Sequence, residues 1–292
     1  LRFLSLGSLL AALAILPIMA SEPAPQRVEK LSDHAYAIFG EGGNVGLFLA
    51  DDAALLVDGR FEAGAPGLLK AVRSVTDKPL RYLVNTHVHR DHVGANAWME
   101  KQGLVLVAHA NVRARLAKTQ QAGLPSVCYG EADPAVRARM DLHLGASEFH
   151  LLHVAAGHTD GDTVFGFPQE RVLAMGDLFF HGFLPFIDTQ GGGSLDGLVA
   201  TVDNLAAWLP DGVKILPGHG PVAEKKDLLR LRDLLRAIQA HVKANPGLAP
   251  AALAAAFDTA AWPDFKPSPG FVSWEALFGG ASGKGPGRIP KP

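Results

Sequence analysis

The chain holds a single cysteine, Cys128, and three tyrosines in 292 residues, and nowhere does it carry a run of five basic side chains. One cysteine cannot close an intramolecular disulfide, so a disulfide-stapled scaffold is excluded. Twenty-seven basic residues stand against 29 acidic ones, a formal net charge of −2. Without a basic stretch, that balance points away from a nucleic-acid partner and leaves a small-molecule substrate open. Charged residues make up 19 % and apolar residues 48 %. That is too much apolar surface and too little charge for a disordered chain. No repeat of solenoid length is visible. Histidine is what the sequence does have, 12 in all.

One long hydrophobic run stands out, in Leu1–Ala20, LRFLSLGSLLAALAILPIMA. A single charge, Arg2, precedes an apolar stretch that ends after Pro17 on the small residue Ala20. This is the order of a secretory signal peptide. As a membrane span the stretch is short, and Gly7 and Pro17 interrupt it. The expectation for 1–20 is therefore a cleaved leader and a periplasmic or secreted mature chain that leaves the membrane after cleavage. Ser21 at the cut excludes a lipid anchor through cysteine.

A Pro-containing linker, Ser21–Gln26, leads into short apolar segments. Ala35–Phe39, Asn44–Ala50 and Ala53–Val57 read as strands separated by glycine and aspartate turns. Helical periodicity over Gly64–Val75 precedes a strand at Arg81–Asn85. A helix at Asn96–Gln102, a strand at Leu104–Ala108 and a helix near Asn111–Lys118 follow. The stretch Gln120–Asp141 reads as irregular. Strands return at Glu148–Val154, Thr163–Phe167, Arg171–Met175 and Val213–Leu216, with helices at Leu195–Leu209 and Glu224–Lys243. Opening strands followed by alternating strands and helices predict an α/β fold. With no internal linker, 21–280 reads as one domain and 281–292 as a flexible tail.

The histidines concentrate the chemistry. Directly after the strand at 81–85 comes Thr86-His87-Val88-His89-Arg90-Asp91-His92-Val93-Gly94, four metal-ligand types within six positions. In an extended segment His87 and His89 point the same way, because side chains alternate with period two. If the chain then turns, Asp91 and His92 face a second point nearby, so one short segment can serve two adjacent metal positions. Three later segments each offer one more ligand beside glycine: His158 in AGHTDGD, Asp177 in MGDL and His219 in PGHG.

HxHxDH, GHTxGD, a GD after a strand and PGHG, in that order, resemble the metallo-β-lactamase superfamily of binuclear metallohydrolases. The resemblance runs over about 28–243. It implies an αββα sandwich, two mixed sheets with outer helices and the metals at one edge. It also implies one metal on His87, His89 and His158 and a second on Asp91, His92 and His219. Asp177 would bridge the two, and Asp58 would support the site from behind.

Imidazole and carboxylate ligands suit two Zn²⁺ ions, and Fe or Mn fits such a mixed set as well. Two ions about 3.5–4 Å apart share a water and bring its pKa toward about 7. The expected reaction is attack of that bridging hydroxide on an amide, lactone or ester carbonyl, with β-lactams among the candidate substrates. Asp91 is the expected catalytic residue, orienting the nucleophile or moving its proton. Dedicated zinc β-lactamases of the family carry Cys or Ser where Asp177 stands. An Asp there resembles the thioesterase, lactonase and general hydrolase branches. Two alternatives remain open: a glyoxalase-type thioesterase and a non-hydrolytic periplasmic metal-binding accessory. Arg90 reads as solvated, Cys128 and Ser194 as structural, and Phe179–Ser194 as a substrate-flanking loop rich in exposed aromatics. His181 reads as a hydrogen-bonded loop residue. No role is expected for His34, His109, His143, His150, His153 or His241. Trp262, Phe265, Phe271, Trp274 and Phe278 are expected to pack the C-terminal segment onto the rest.

Overall fold

A computed structural model describes residues 26–130, 138–268 and 272–283. The expected leader (1–20), Phe271 and the tail beyond 283 lie outside the described residues. Seven strands form the first sheet in chain order: β1 (Arg27–Lys30), β2 (Ala35–Phe39), β3 (Val45–Leu49), β4 (Ala54–Val57), β5 (Leu80–Val84), β6 (Val105–His109) and β7 (Val127–Tyr129). Pairing is antiparallel from β1 to β4 and parallel from β4 to β7. The second sheet has the order β12 (Lys214–His219), β11 (Val172–Phe180), β10 (Thr163–Phe167), β9 (Ser147–His153), β8 (Arg139–Leu144). There β11 and β12 run parallel and the other pairs antiparallel. Both sheets are mixed, as the resemblance implies.

Every residue of β3, β4, β10 and β11 is buried, so both faces of each sheet must be covered. Period-two alternation divides the side chains between the two faces. From the first sheet, Phe48, Leu55, Val57, Val84 and Val107 meet Phe149, Leu151, Phe165, Phe167 and Leu216 of the second in one inner core. The alternate residues Ile38, Val45, Leu47, Leu56, Leu83 and Leu106 pack under α1 (Ala65–Val75) and α3 (Asn96–Lys101). On the far side Val164, Leu173, Met175 and Ile215 pack under α5 (Leu195–Trp208) and α6 (Lys225–Ala244). Helix, sheet, sheet and helix therefore lie in four layers, the αββα sandwich. Among the described residues no helix is long and apolar enough to cross a membrane.

The remaining helices are α2 (Arg90–Val93), α4 (Ala110–Lys118), α7 (Pro250–Ala256) and α8 (Trp274–Ala281). Phe265 and Phe278 are buried in the outer core, with Trp262 and Trp274 against it, so the C-terminal aromatics do pack that segment down. Ala281 closes α8, and Ser282 and Gly283 complete its last turn. Ser194 has the expected structural role: its hydroxyl accepts from the Gly197 amide and caps α5. Three expectations need correction. The stretch 120–141 is not irregular throughout, since it contains β7 and the start of β8. β8 escapes notice because its alternate residues Arg139, Asp141 and His143 face solvent. β11 runs five residues past Met175, and Phe179 and Phe180 are 1 % and 2 % exposed. They are core residues covered by helices, not exposed aromatics of a loop.

Phe165 sits at the centre of the inner core, its ring 4.7 Å from Phe48 and 5.6 Å from Phe149. Phe165→Ala is expected to cost about 3–5 kcal/mol by denaturant unfolding. Trp208→Ala, at a site 62 % exposed, is expected to stay within about 0.5 kcal/mol. Similar losses for the two would contradict this placement of the core.

Candidate metal centre

The seven expected ligands come together at the carboxyl ends of β5, β11 and β12, where ligands of α/β sheets collect. β5 ends at Val84 and delivers His87 and His89. The chain then turns into α2, which swings Asp91 and His92 toward a second point. β11 carries Asp177 and β12 ends on His219. β11 is irregular here: its register against β12 shifts on either side of Gly176, whose φ is +51°. A Cβ on Gly176 would lie 2.5 Å from Thr86 Oγ1. The bulge needs glycine, and it aims Asp177 into the site.

Two groups able to hold a metal result: His87, His89, His158 and Asp177 in one, Asp91, His92 and His219 in the other. Asp177 faces both. Its Oδ2 lies 3.5 Å from His87 Nε2 and from His158 Nε2. Its Oδ1 lies 3.1 Å from His92 Nε2 and 3.5 Å from His219 Nε2. Asp91 Oδ2 is 3.1 Å from His219 Nε2 and 3.6 Å from His92 Nε2.

The surrounding hydrogen bonds fix which nitrogen each imidazole turns inward. Thr86 Oγ1 donates to Asp58 Oδ2 at 2.7 Å, so it can only accept from His87 Nδ1 at 3.0 Å. His87 Nε2 is then bare. Asp58 Oδ2 also accepts from His92 Nδ1 at 2.7 Å. His158 Nδ1 donates to Phe186 O at 2.8 Å, and His89 Nε2 donates to Asp188 Oδ2 at 2.9 Å. His89 Nδ1 and His158 Nε2, with their protons committed elsewhere, face each other at 2.9 Å. Two lone pairs at that distance repel unless a proton or a cation lies between them. His87 Nε2, His92 Nε2 and Asp177 Oδ1 are buried without a hydrogen-bond partner. Inward-facing nitrogens backed by outward hydrogen-bond acceptors are what metal-binding histidines show. The residues fit a metal.

Charge divides the two groups. Burial pushes His87 down to about 4, with His92 adding to the effect. It also holds His158 well below the ordinary imidazole value, against the pull of Asp177. Burial likewise opposes the charged form of His92, yet Asp177, Asp91 and Asp58 outweigh it and raise His92 well above its usual range. Burial is overcome in the same way at His219, which Asp177 and Asp91 lift to about 9. Asp177 and Asp91 stay below the ordinary carboxylate range because neighbouring histidines, His92 foremost, outweigh the desolvation that acts against their charge.

Sequence reasoning found Asp58, and the structure gives it three bonds, to Thr86 N, Thr86 Oγ1 and His92 Nδ1. It missed Asp188, 99 positions from its partner His89. Asp188 lies in the segment 181–194, which does flank the site: its amide donates to His158 O. Asp162 was also passed over. It accepts from the amides of His158 and Thr159 and shapes the loop that presents His158. Arg90 is exposed, and His181 Nδ1 donates to Pro221 O, a hydrogen-bonded loop residue as expected. His109 stacks on His153 at 3.7 Å between ring centroids, a contact that nothing in the sequence pattern announces.

A sequence model of the metallo-beta-lactamase superfamily matches residues 38–219. Among curated proteins, the 2,4-dinitroanisole O-demethylase subunit alpha of a Nocardioides species is 27 % identical over 174 residues, 57 % of this chain and 48 % of that one. The chain thus spans about half the length of that relative. "Probable metallo-hydrolase YqgX" of Bacillus subtilis is 27 % identical over 187 residues, 61 % of this chain and 85 % of that one. Among solved structures, a metallo-beta-lactamase from Pontibacter korlensis superposes with a TM-score of 0.62 at 20 % identity, over 72 % of this chain and 99 % of that one. That likeness is one of fold.

The charge pattern predicts which group takes up metal with proton release. A ligating imidazole must be neutral. At pH 7 His87 and His158 are already neutral, whereas His92 and His219 hold protons that a metal must displace. Zn²⁺ uptake by the Asp91/His92/His219 group should therefore release about two protons, and its affinity should fall as the pH drops below about 9, well before protonation of His87 near 4 weakens the other group. Titration calorimetry in buffers of different ionisation enthalpy reads this directly. Equal proton release at both binding steps would contradict it.

Proposed function

The chain belongs to the metallo-β-lactamase superfamily, and on that premise we propose that it is an exported binuclear metal-dependent hydrolase of amide, lactone or ester bonds. The observation that carries the reading is the Asp177 carboxylate, 2 % exposed, with one oxygen turned toward each ligand group. His87, His89 and His158 would hold one ion, and Asp91, His92 and His219 the other. Zinc suits this donor set, as Fe or Mn also would. When bound, the ions supply Lewis-acid polarisation of a carbonyl and an activated water at neutral pH.

The protein's own part is positioning and proton handling. Asp91 is the catalytic residue proposed here. Its side chain is 22 % exposed, against 1 % for Asp177, so Asp91 can reach both the site and the solvent side. Its Oδ2, drawn toward His219 and His92, orients the attacking water and takes its proton. Asp58 and Asp188 hold His92 and His89 in place, so the ligand geometry exists before substrate arrives. The export reading is supported by the leader-like order of 1–20. Determining the N-terminus of the mature chain tests it, with Ser21 expected.

The reaction is tested with a panel holding a chromogenic cephalosporin, a lactone, a simple ester and a glutathione thioester, assayed with the zinc-loaded protein. Hydrolysis of at least one carbonyl substrate is expected. Chelator should abolish it, and His87→Ala combined with His89→Ala should lower it at least about a thousandfold. Turnover confined to the thioester would move the chain to the thioesterase reading. Bound metal with no turnover on the panel would favour the non-hydrolytic accessory, and unimpaired activity in the double variant would refute the site.

A further inference from the structure

The two ligand groups share one support, the Asp58–Thr86 bridge that reaches His92 and His87, and otherwise lean on different parts of the fold. His87, His89 and His158 take their hydrogen bonds from Thr86, Asp188 and Phe186. The other group also leans on the dipeptide Gly43–Asn44, where the β2–β3 turn enters β3, through Asp91, His92 and the residues that flank His219. The Gly43 amide donates to Asp91 O at 3.0 Å. His92 lies flat against Gly43, so that a Cβ there would come within 2.3 Å of its ring. Asn44 encloses His219. Its amide donates to Gly218 O at 2.7 Å, and its Nδ2 donates to Pro217 O at 2.9 Å and Gly220 O at 2.8 Å. These bonds cross the sandwich, over 173 and 176 positions, and take hold of the backbone on both sides of one ligand.

Gly43–Asn44 is fixed in its turn by Arg60. This guanidinium is 1 % exposed, among the largest fully buried side chains. Its Nε donates to Gly43 O at 2.8 Å, and its other nitrogens reach Ile38 O and Gln26 Oε1. No carboxylate pairs with it among the described residues. Burial lowers its pKa to about 10, so it stays charged at neutral pH. A buried cation that spends its donors on carbonyl and amide oxygens contributes geometry: five N–H groups in a rigid fork fix the acceptors they meet. Arg60 also sits in the left-handed region, with φ of 63°, a conformation that costs free energy for a long side chain. Its own carbonyl accepts from Ala95 N, just beyond α2. One residue thus ties the β2–β3 turn to the helix that carries Asp91 and His92.

We propose that Asn44 and Arg60 are positioning residues for the Asp91/His92/His219 metal, and that they set its affinity separately from that of the His87/His89/His158 metal. This rests on the binuclear reading above. Removing such supporting partners typically costs about 10–100-fold in metal affinity.

The test compares the full chain with Asn44→Ala and Arg60→Lys. Arg60→Lys keeps the charge but not the fork. Zn²⁺ is titrated against a fluorescent chelator, and the visible spectrum of the Co²⁺-loaded proteins is recorded. Thermal unfolding of the metal-free proteins separates positioning from loss of fold, and Asn44→Ser, which keeps one donor, stands in if Asn44→Ala does not fold. The expected result is two ions in the unmodified protein, with the Asp91/His92/His219 site lowered about 10–100-fold in the variants. The His87/His89/His158 site should stay within about twofold, and the Co²⁺ bands of one site alone should change. Equal weakening of both sites would reduce Asn44 and Arg60 to general structural residues and overturn the proposal, as would unchanged affinities. A single ion in the unmodified protein would instead refute the binuclear reading, and this inference with it.

Discussion

A carboxylate buried among five imidazoles is the constraint around which the rest of this molecule is arranged. Asp177 is all but shut off from water, and desolvating a charge is among the most costly things a fold can do. The cost is offset only if opposite charge stands close on both sides. In the metal-free protein the protons of His92 and His219 supply part of it. The other side offers bare nitrogens, His89 Nδ1 and His158 Nε2 facing each other at 2.9 Å. That half of the site is short of positive charge. Metal ions would resolve the imbalance, and the electrostatics and the donor chemistry point the same way.

The sandwich makes such a site affordable by building it where two sheets end together. Strand alternation fills the interior with Phe48, Phe149, Phe165 and their neighbours, and the ligands come from just past the end of β5, from the bulge within β11 and from the last residue of β12. Local exceptions to regular structure cluster there: the bulge at Gly176, the left-handed Asp58 and Arg60, and the short helix α2. The bulge and α2 turn Asp177, Asp91 and His92 into the site, and the left-handed residues set Asp58 and Arg60 behind it. Strain of this kind persists when surrounding bonds over-determine it. Asp58, with three hydrogen bonds from Thr86 and His92, is an instance.

Much of this was legible in the sequence, and the divide follows sequence distance. HxHxDH is readable because strand period and helix turn act within six residues. Asp58, His158, Asp177 and His219 are readable through the family resemblance and their glycine neighbours. Asp188 and Asn44 are not, since each acts on a partner far along the chain. Arg60 gives no sign that its charge is buried, because nothing local distinguishes a guanidinium bonded to carbonyls from one in water. The aromatics at 179–180 misled for a related reason: a run of apolar residues beside glycines looks like a loop unless one knows that both faces of the strand are covered. β8, half exposed, failed the opposite way.

The central claim is that Asp177 stands between two metals. Anomalous diffraction at the zinc edge from crystals of the zinc-loaded protein tests it most directly. The account predicts two peaks, one beside His87, His89 and His158 and one beside Asp91, His92 and His219, with an oxygen of Asp177 on each. A single peak, or two with Asp177 ligating neither, would contradict it.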